Sequence, residues 1–413
     1  MKKIVHINVS LNKGSTGRIA EQICLLAEKK GFDCTIVHGP IAVNDSKLKS
    51  IECGNRFTNR LHALFTRLFD LEGRCSYFST RRVIKKLKVI DPDIIHLHVI
   101  HEHYINYPLL FRYLSESRAK VVWTMHDCWA FTGHCCHFDY YGCQNWMLSC
   151  QICKFKSTYP RAVLSCSRKN YAKKKGSFLS VSNKLTIVPV SHWLEHFLED
   201  SMLKRCNVQT IHNGTNLHDF IVYNTDEVSA IKKKYKLCGR QVVIGCAANW
   251  EERKGFKDFV EIRKNLDDTV DVLLVGLNEN QMDQATEAGI IGIKRTEDVH
   301  ELAKLYALSD VFVNPTYEDN FPTTNIESLA CGTPIVTYNT GGSPEAIDEG
   351  TGYVVEKGDT ASLVTAIVKV LANGKCFYTD KCRKRAEQYF DMYDRYQAVS
   401  YTHLRAHETR GNL

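Results

Sequence analysis

No apolar run in this 413-residue sequence is long enough to cross a bilayer, and no tract is of low complexity. Membrane-spanning and compositionally disordered classes are therefore set aside. The opening "MKKIVHINVS" puts lysines ahead of apolar residues, but His6, Asn8 and Ser10 break the run. That pattern predicts a first β-strand, not a secretory segment, and so a cytoplasmic protein. In a reducing compartment the 17 cysteines are expected as thiols or metal ligands, and an odd number cannot pair off completely. No recognised nucleic-acid-reading motif accompanies the net charge of +8.

What is present is the composition of a globular protein, 44% hydrophobic and 24% charged, in a chain too long for one core. Short apolar stretches ("KKIVHINVS", "CTIVHG", "PDIIHLHV", "KVVWTMHD", "LTIVPVS", "VQTIHNG") read as strands, and "GSTGRIAEQICLLAEKKG" between the first two reads as a helix. The rhythm restarts with "QVVIGCAA", "VDVLLVG", "DVFVNPT" and "TPIVTY". Fully apolar strands separated by helices predict an α/β protein with parallel sheets covered on both faces. Two Rossmann-like halves, 1–210 and 211–398, are expected to meet near "HNGTN", with ligands at the carboxyl ends of the strands in the cleft between them. The last residues, 399–413, contain "VSYTHLRAHET", which resembles the translation of a transposase adapter used in preparing sequencing libraries. They are set apart from the functional argument.

The positive charge is concentrated. Arg56, Arg60, Arg67, Arg74, Arg81, Arg82, Lys85, Lys86 and Lys88 face only Asp70 and Glu72 in the same stretch. Leu61, Leu64, Phe65, Leu68 and Phe69 recur there at helical spacing. Two readings fit: a solvated helix face above a core stripe, or a basic amphipathic surface resting on anionic lipid.

Several motifs carry chemistry. In "NPTYEDNFPTTNIESLACGTPIV" a strand ends at Val313, Thr324 and Glu327 have capping-box spacing, and Gly332 stops the helix. Asp319, Asn320 and the Phe321-Pro322 turn bring polar groups to that helix N-terminus, where backbone amides attract phosphate. "TGGSPE" repeats the logic, with Gly341 and Gly342 allowing close approach and Ser343-Pro344-Glu345 starting another helix. "KGSTGRIA" sets Gly14, Ser15 and Thr16 at a helix start after the first strand. In "HDCWAFTGHCCHFDYYGCQNWMLSCQIC", within an insertion at about 128–160, Cys135, Cys143, Cys150 and Cys153 can close a tetrahedral structural zinc site. Cys128, His134, Cys136 and His137 leave the exact ligand set open. Reduced cysteines packed among aromatics, or an exposed redox pair, are the other readings.

The stretch from 314 to 336 resembles the donor-site signature of family 4 retaining glycosyltransferases, which have the GT-B fold. The resemblance implies that Asp319 contacts the sugar of a nucleotide-sugar and Glu327 the ribose hydroxyls. Asn320, Phe321 and backbone amides around Pro322, Thr323 and Thr324 would border the diphosphate. The family's usual first acid is Glu, and "EDNFP" is similar to a variant found among exopolysaccharide transferases. "AANWEERKGFKDFV" resembles the family's diphosphate-binding stretch, with Lys254 in the lysine place, Asn249 where an arginine is usual, and Arg253 available to replace that charge. The same resemblance puts Gly14 and Ser15 beside the donor, His126 of "WTMHD" against the donor sugar, and His98, His101 and Asn106 on the acceptor side. The cysteine pattern is similar to capsule and colanic-acid-type transferases.

The activity implied is retaining transfer of a sugar, from UDP or GDP, to a hydroxyl of a glycan linked to lipid diphosphate at the inner leaflet of the membrane. No cofactor is required for the chemistry, and no nucleic acid is a partner. A GT-B sugar-nucleotide epimerase is the alternative enzyme. A cysteine-rich, basic nucleic-acid-binding module is the alternative from another class.

Overall fold

The apolar stretches assemble as two parallel sheets in the computed structural model, which describes residues 1–237 and 241–408. The chain divides into two units, Met1–His212 with Tyr396–Leu413, and Asn213–Arg395.

The first unit follows a strand–helix alternation. It begins β1 (Lys3–Ile7), α1 (Gly14–Lys29), β2 (Asp33–His38), β3 (Lys49–Glu52), α2 (Arg56–Phe69) and α3 (Tyr77–Ile90). It continues β4 (Ile94–Leu97), α4 (Tyr107–Glu116), β5 (Lys120–Met125), α5 (Ser167–Leu179), β6 (Leu185–Pro189), α6 (His192–Asp200) and β7 (Asn207–Val208). The strand order is β3-β2-β1-β4-β5-β6-β7, all parallel. Ile4, Val5, Ile94, Ile95, Val121 and Val122 are wholly buried, as expected for a sheet covered on both faces. The order reverses between β1 and β4, so the loops after those strands open a crevice at their carboxyl ends.

The second unit contains α7 (Thr225–Lys234), β8 (Gln241–Cys246), α8 (Phe256–Asn265), β9 (Val270–Val275), α9 (Glu279–Glu287), β10 (Ile291–Ile293) and α10 (Val299–Leu308). After these come β11 (Val311–Asn314), α11 (Thr323–Ala330), β12 (Ile335–Tyr338), β13 (Gly352–Val355), α12 (Thr360–Asn373) and α13 (Cys376–Tyr389). Its order, β10-β9-β8-β11-β12-β13, places the reversal between β8 and β11. The sequence boundary of 211–398 shifts to 213–395, because α14 (Met392–Glu408) buries Tyr396, Val399, Ser400 and Thr402, and residues from Tyr396 onward group with the first unit. Thr402 Oγ1 lies 3.1 Å from Gln209 Oε1. Of the tail set apart in the sequence, 399–408 continue α14, and 409–413 lie outside the described residues.

The cysteine-rich insertion lies between β5 and α5, with two short 3-10 turns at Trp129–Phe131 and Asn145–Met147. Buried polar pairs pin it. His134 Nδ1 meets Asp70 Oδ1 at 2.6 Å, with both side chains 1% exposed. Lys174 Nζ donates to the carbonyls of Trp129 (2.6 Å) and Thr132 (3.0 Å) and sits 3.5 Å above the Trp129 ring.

Helix α2 overturns one of the two sequence readings. Its buried residues are Asn59, His62 and Thr66, whereas Leu61, Leu64, Phe65, Leu68 and Phe69 are exposed. The apolar stripe is not a core stripe. Helical periodicity shows that a stripe exists, and only packing shows which way it faces.

Candidate functional site

In the second unit the two sequence motifs come together at the switch point. The loop after β8 carries Asn249, Arg253 and Lys254, and the loop after β11 carries Asp319 and Asn320. Lys254 Nζ forms a short ion pair with Asp319 Oδ2, the side chains being 19% and 20% exposed. Burial lowers the Lys254 pKa, and the Asp319 charge works against that shift. Arg253 Nη1 donates to the Glu318 carbonyl at 2.8 Å, and Nε reaches Glu251 Oε2 at 3.1 Å. Tyr317 N donates to the Arg253 carbonyl at 2.7 Å, so the two loops are laced by backbone and side chain alike. Asn249 is exposed at the rim.

Gly255 and Gly341 are the two positions where this lacing demands glycine. Both have positive φ, +77° and +58°. A Cβ at Gly255 would lie 2.2 Å from the Pro315 carbonyl oxygen, and one at Gly341 only 1.8 Å from that of Asp319. Gly342 N donates to the same Asp319 oxygen at 3.0 Å, which fixes the backbone beneath the carboxylate.

Helix α11 corrects the expected capping box. It begins at Thr323, with Pro322 at the N-cap and no side chain capping it. Thr324 is therefore one residue inside the helix, and Glu327 lies in its second turn. Pro322 has no N–H to satisfy and is pre-set for this position. Glu327 is 8% exposed instead of lying at the helix mouth, and Tyr306 OH donates to its Oε2 at 3.4 Å. The second expected helix, at Ser343-Pro344-Glu345, is a single 3-10 turn at Pro344–Ala346.

Asn325, which no sequence motif marks, ties the site together. Its Nδ2 reaches Ser343 Oγ at 2.9 Å, and its Oδ1 accepts from Asn314 Nδ2 at 2.8 Å. Phe321 and Asn320 are buried, and Phe321 packs beside Phe390 at 5.9 Å between centroids.

In the first unit, α1 starts at Gly14 after β1 with no side-chain cap and no acid in its first turn. Gly14 has φ +70°, and Gly14 and Ser15 are exposed. His98, His101 and His126 line one recess with Asp127 and Trp129. His101 Nε2 meets Asp127 Oδ2 at 2.8 Å. Asn106 does not join them. Its Oδ1 caps α4 by accepting from Leu109 N at 2.9 Å, and its Nδ2 donates to the Arg74 carbonyl.

Of Cys135, Cys143, Cys150 and Cys153, the last three act on one another electrostatically. Among the described residues, no three of them offer sulfurs within 4.8 Å of one another, and the insertion cysteine that enters such a group is Cys136, with His101 and Asp127. Cys150 Sγ accepts from Gly133 N at 3.0 Å. The four sulfurs as placed are not a closed tetrahedral shell.

Titration follows from the burial. Burial pushes His62 down to about 4 against the pull of Glu72. Burial likewise pushes His126 to about 4 against Asp127. Unfolded histidines take up protons below about pH 6.5. The folded chain refuses those two protons until near pH 4, so this contribution to stability is present above pH 6.5 and lost as pH falls toward 4. His101 acts the opposite way: burial pulls it down, but the charge and hydrogen bond of Asp127, with the charges of Glu102 and Glu72, raise it overall. With two groups against one, urea unfolding is expected to show lower stability at pH 5 than at pH 7.5.

Each unit is a doubly wound α/β fold with its polar residues at a switch point. Comparison with known proteins identifies the kind. The model for Glycosyltransferase Family 4 matches residues 16–219, and that for Glycosyl transferases group 1 matches 241–373. The chain belongs to the family 4 glycosyltransferases and has their GT-B fold. It is 22% identical over 376 residues to WcaC of Escherichia coli, a glycosyl transferase assigned to colanic acid biosynthesis, covering 87% of this chain and 89% of that one. It is 27% identical over 220 residues to the capsular polysaccharide biosynthesis glycosyltransferase CapM of Staphylococcus aureus, covering 49% and 57%. Among solved structures, sucrose-phosphate synthase of Thermosynechococcus elongatus superposes with TM-score 0.70 at 15% identity, over 98% and 99% of the two chains. Anabaena HepE, solved with UDP and glucose, superposes with TM-score 0.64 at 13% identity, over 97% and 99%.

Proposed function

We propose that the protein transfers a sugar, with retention of anomeric configuration, from a UDP- or GDP-linked donor to a hydroxyl of a growing exopolysaccharide glycan carried on lipid diphosphate. The observation that carries this reading is the pairing of Lys254 with Asp319 at the β8–β11 switch point, beside the uncapped N-terminus of α11. The leaving group of such a transfer is a nucleoside diphosphate, whose negative charge grows at the transition state. Lys254 and the α11 amides at Thr323 and Thr324 supply positive charge for it. Arg253 holds the carbonyl of Glu318 and so sets the loop that presents Asp319. Asp319 is assigned to the donor sugar, and Glu327, steadied by Tyr306, to the ribose. With no carboxylate assigned as a covalent nucleophile, a same-face route is favoured, in which the departing diphosphate helps deprotonate the acceptor and the protein orients both reactants. Product analysis by NMR with a lipid-diphosphate acceptor tests retention. An inverted anomer would refute it.

The membrane part of the reading rests on α2 and its surroundings. Phe57, Leu64 and Phe78 are 73%, 52% and 76% exposed. Arg56, Arg60, Arg67, Arg81, Arg82, Lys85 and Lys86 are exposed among them, while Asp70 and Glu72 are buried. An apolar face rimmed by uncompensated cations is complementary to an anionic leaflet. No helix among the described residues is long and apolar enough to cross a membrane. Vesicles containing anionic lipid are expected to co-float the protein, and a Leu64→Ser, Phe65→Ser pair to abolish it. Equal flotation with neutral vesicles would contradict the charge argument.

A further inference from the structure

Four imidazoles stand together near the carboxyl ends of β1, β4 and β5. His6 lies on β1 opposite His96 on β4, His98 follows β4, and His126 follows β5. His6 and His96 are wholly buried, His98 is 2% exposed, and His126 is half-buried. His6 Nδ1 lies 3.1 Å from His98 Nε2, and His98 Nδ1 lies 3.2 Å from His126 Nε2. In these two pairs the ring planes differ by 17° and 16°, and the centroids are 5.4 and 5.5 Å apart. Each centroid separation equals the N···N distance plus about two ring radii. The nitrogens therefore meet edge to edge, along the line of centres. His96 differs: it stacks face-on against His98, with centroids 4.2 Å apart, and its Nε2 lies 2.8 Å from Thr124 Oγ1.

His6, His96 and His98 could by composition hold a metal ion, since their ligand atoms lie within 4.8 Å of one another. The stacking argues against it. An imidazole lone pair lies in its ring plane, and the planes of His96 and His98 run side by side instead of converging.

Edge-to-edge contact has a different consequence. Each N···N contact holds one proton, donated by one ring and accepted by the other. A neutral imidazole has one N–H and one lone pair. In a row of three neutral rings the choice at one end therefore decides all three. Either every ring carries its hydrogen on Nδ1 or every ring carries it on Nε2. The Asp127 carboxylate follows His126 in sequence and lines the same recess, and a negative charge at that end of the row favours N–H groups that point toward it. That favours the Nδ1 arrangement.

We propose that His6 and His98 are positioning residues that hold His126 as the neutral Nδ1–H tautomer, making it a hydrogen-bond donor at the recess it shares with His101 and Asp127. Use of that donor on a sugar oxygen rests on the glycosyltransferase reading; the tautomer itself does not. Burial that keeps His126 uncharged near neutral pH agrees with this arrangement.

The full chain labelled with 15N-histidine reports the ring tautomers directly at pH 7.5, from two-bond 1H–15N correlations assigned with single variants. His6, His98 and His126 are each expected as Nδ1–H. His6→Leu should leave His126 exchanging between tautomers, and His6→Asn, whose amide N–H can stand where Nδ1 stood, should restore one. In nucleotide-sugar turnover, His6→Leu should lower kcat about 10- to 100-fold at unchanged donor KM, with His6→Asn within about threefold of the parent. An Nε2–H or cationic His126 in the parent protein, or a stoichiometric metal ion on these rings, overturns the proposal, whether or not any variant folds. Nδ1–H tautomers in a protein that consumes no nucleotide-sugar would leave the tautomer lock standing and overturn the glycosyltransferase reading instead.

Discussion

Lys254→Ala is expected to lower kcat about 10²- to 10³-fold, equivalent to about 3–4 kcal/mol of transition-state stabilisation. Two effects add in this variant. The leaving diphosphate loses the cation held against the loop ahead of α11, and Asp319 loses the partner that orients its carboxylate. The effect should fall more on kcat than on KM, because charge on the diphosphate is greatest as the glycosidic bond breaks. Lys257 gives a contrast one turn away. Its pair with Glu252 joins side chains 83% and 70% exposed, so Lys257→Ala should leave turnover within about twofold. Steady-state kinetics with the preferred donor decide the matter, and equal losses in both variants would mean that general surface charge is at work.

The largest stability effect is expected at Asp70. Its carboxylate accepts from His134 Nδ1 at 2.6 Å and from Cys166 N at 2.8 Å, and its carbonyl accepts from Asn170 Nδ2 at 2.7 Å. Asp70→Ala leaves His134 and the Cys166 amide buried without that acceptor, at a cost of about 3–5 kcal/mol. Those contacts join the end of α2 to both ends of the cysteine-rich insertion, so near-ultraviolet circular dichroism from its aromatics should weaken with it. Glu261→Ala, which removes a pair between side chains 66% and 53% exposed, should change stability by less than about 0.5 kcal/mol. Urea denaturation measures both, and a small loss at Asp70 would show that the insertion is held by its aromatic packing alone.

Much of the fold was legible because its central strands are runs of apolar residues, whose burial on both faces leaves a plain mark. The three strands that escaped notice are short and less buried. β3 reads "KSIE" with only Ile51 buried, β10 reads "IGI", and β13 reads "GYVV". Their pairing with a neighbour, not their composition, makes them strands. In the second unit the motifs located the loops that hold Lys254 and Asp319, but not the cap of α11. There Pro322 moved the helix start by two residues and left Glu327 to packing against Tyr306.

Other parts were hidden for definite reasons. The orientation of α2 depends on what covers it, and a helical stripe looks the same facing in or out. Asn106 looked like a ligand-facing residue, but it has the chemistry of an N-cap and is used as one. The row of His6, His98 and His126 has no spacing signature, since its members come from three strands whose adjacency appears only with the sheet order. Asn325 was invisible for the same reason: its partners Asn314 and Ser343 are 11 and 18 residues away.

The central claim is that the second unit binds a nucleoside diphosphate at the β8–β11 switch point. Thermal unfolding with UDP and GDP, followed by a panel of their sugars with donor consumption measured alongside, tests it most directly. One nucleotide at about 100 times its Kd should stabilise the fold by about 2.7 kcal/mol. At least one of its sugars should be consumed, and both effects should weaken in Lys254→Ala. No thermal shift with either nucleotide, and no consumption of any donor, would contradict the account.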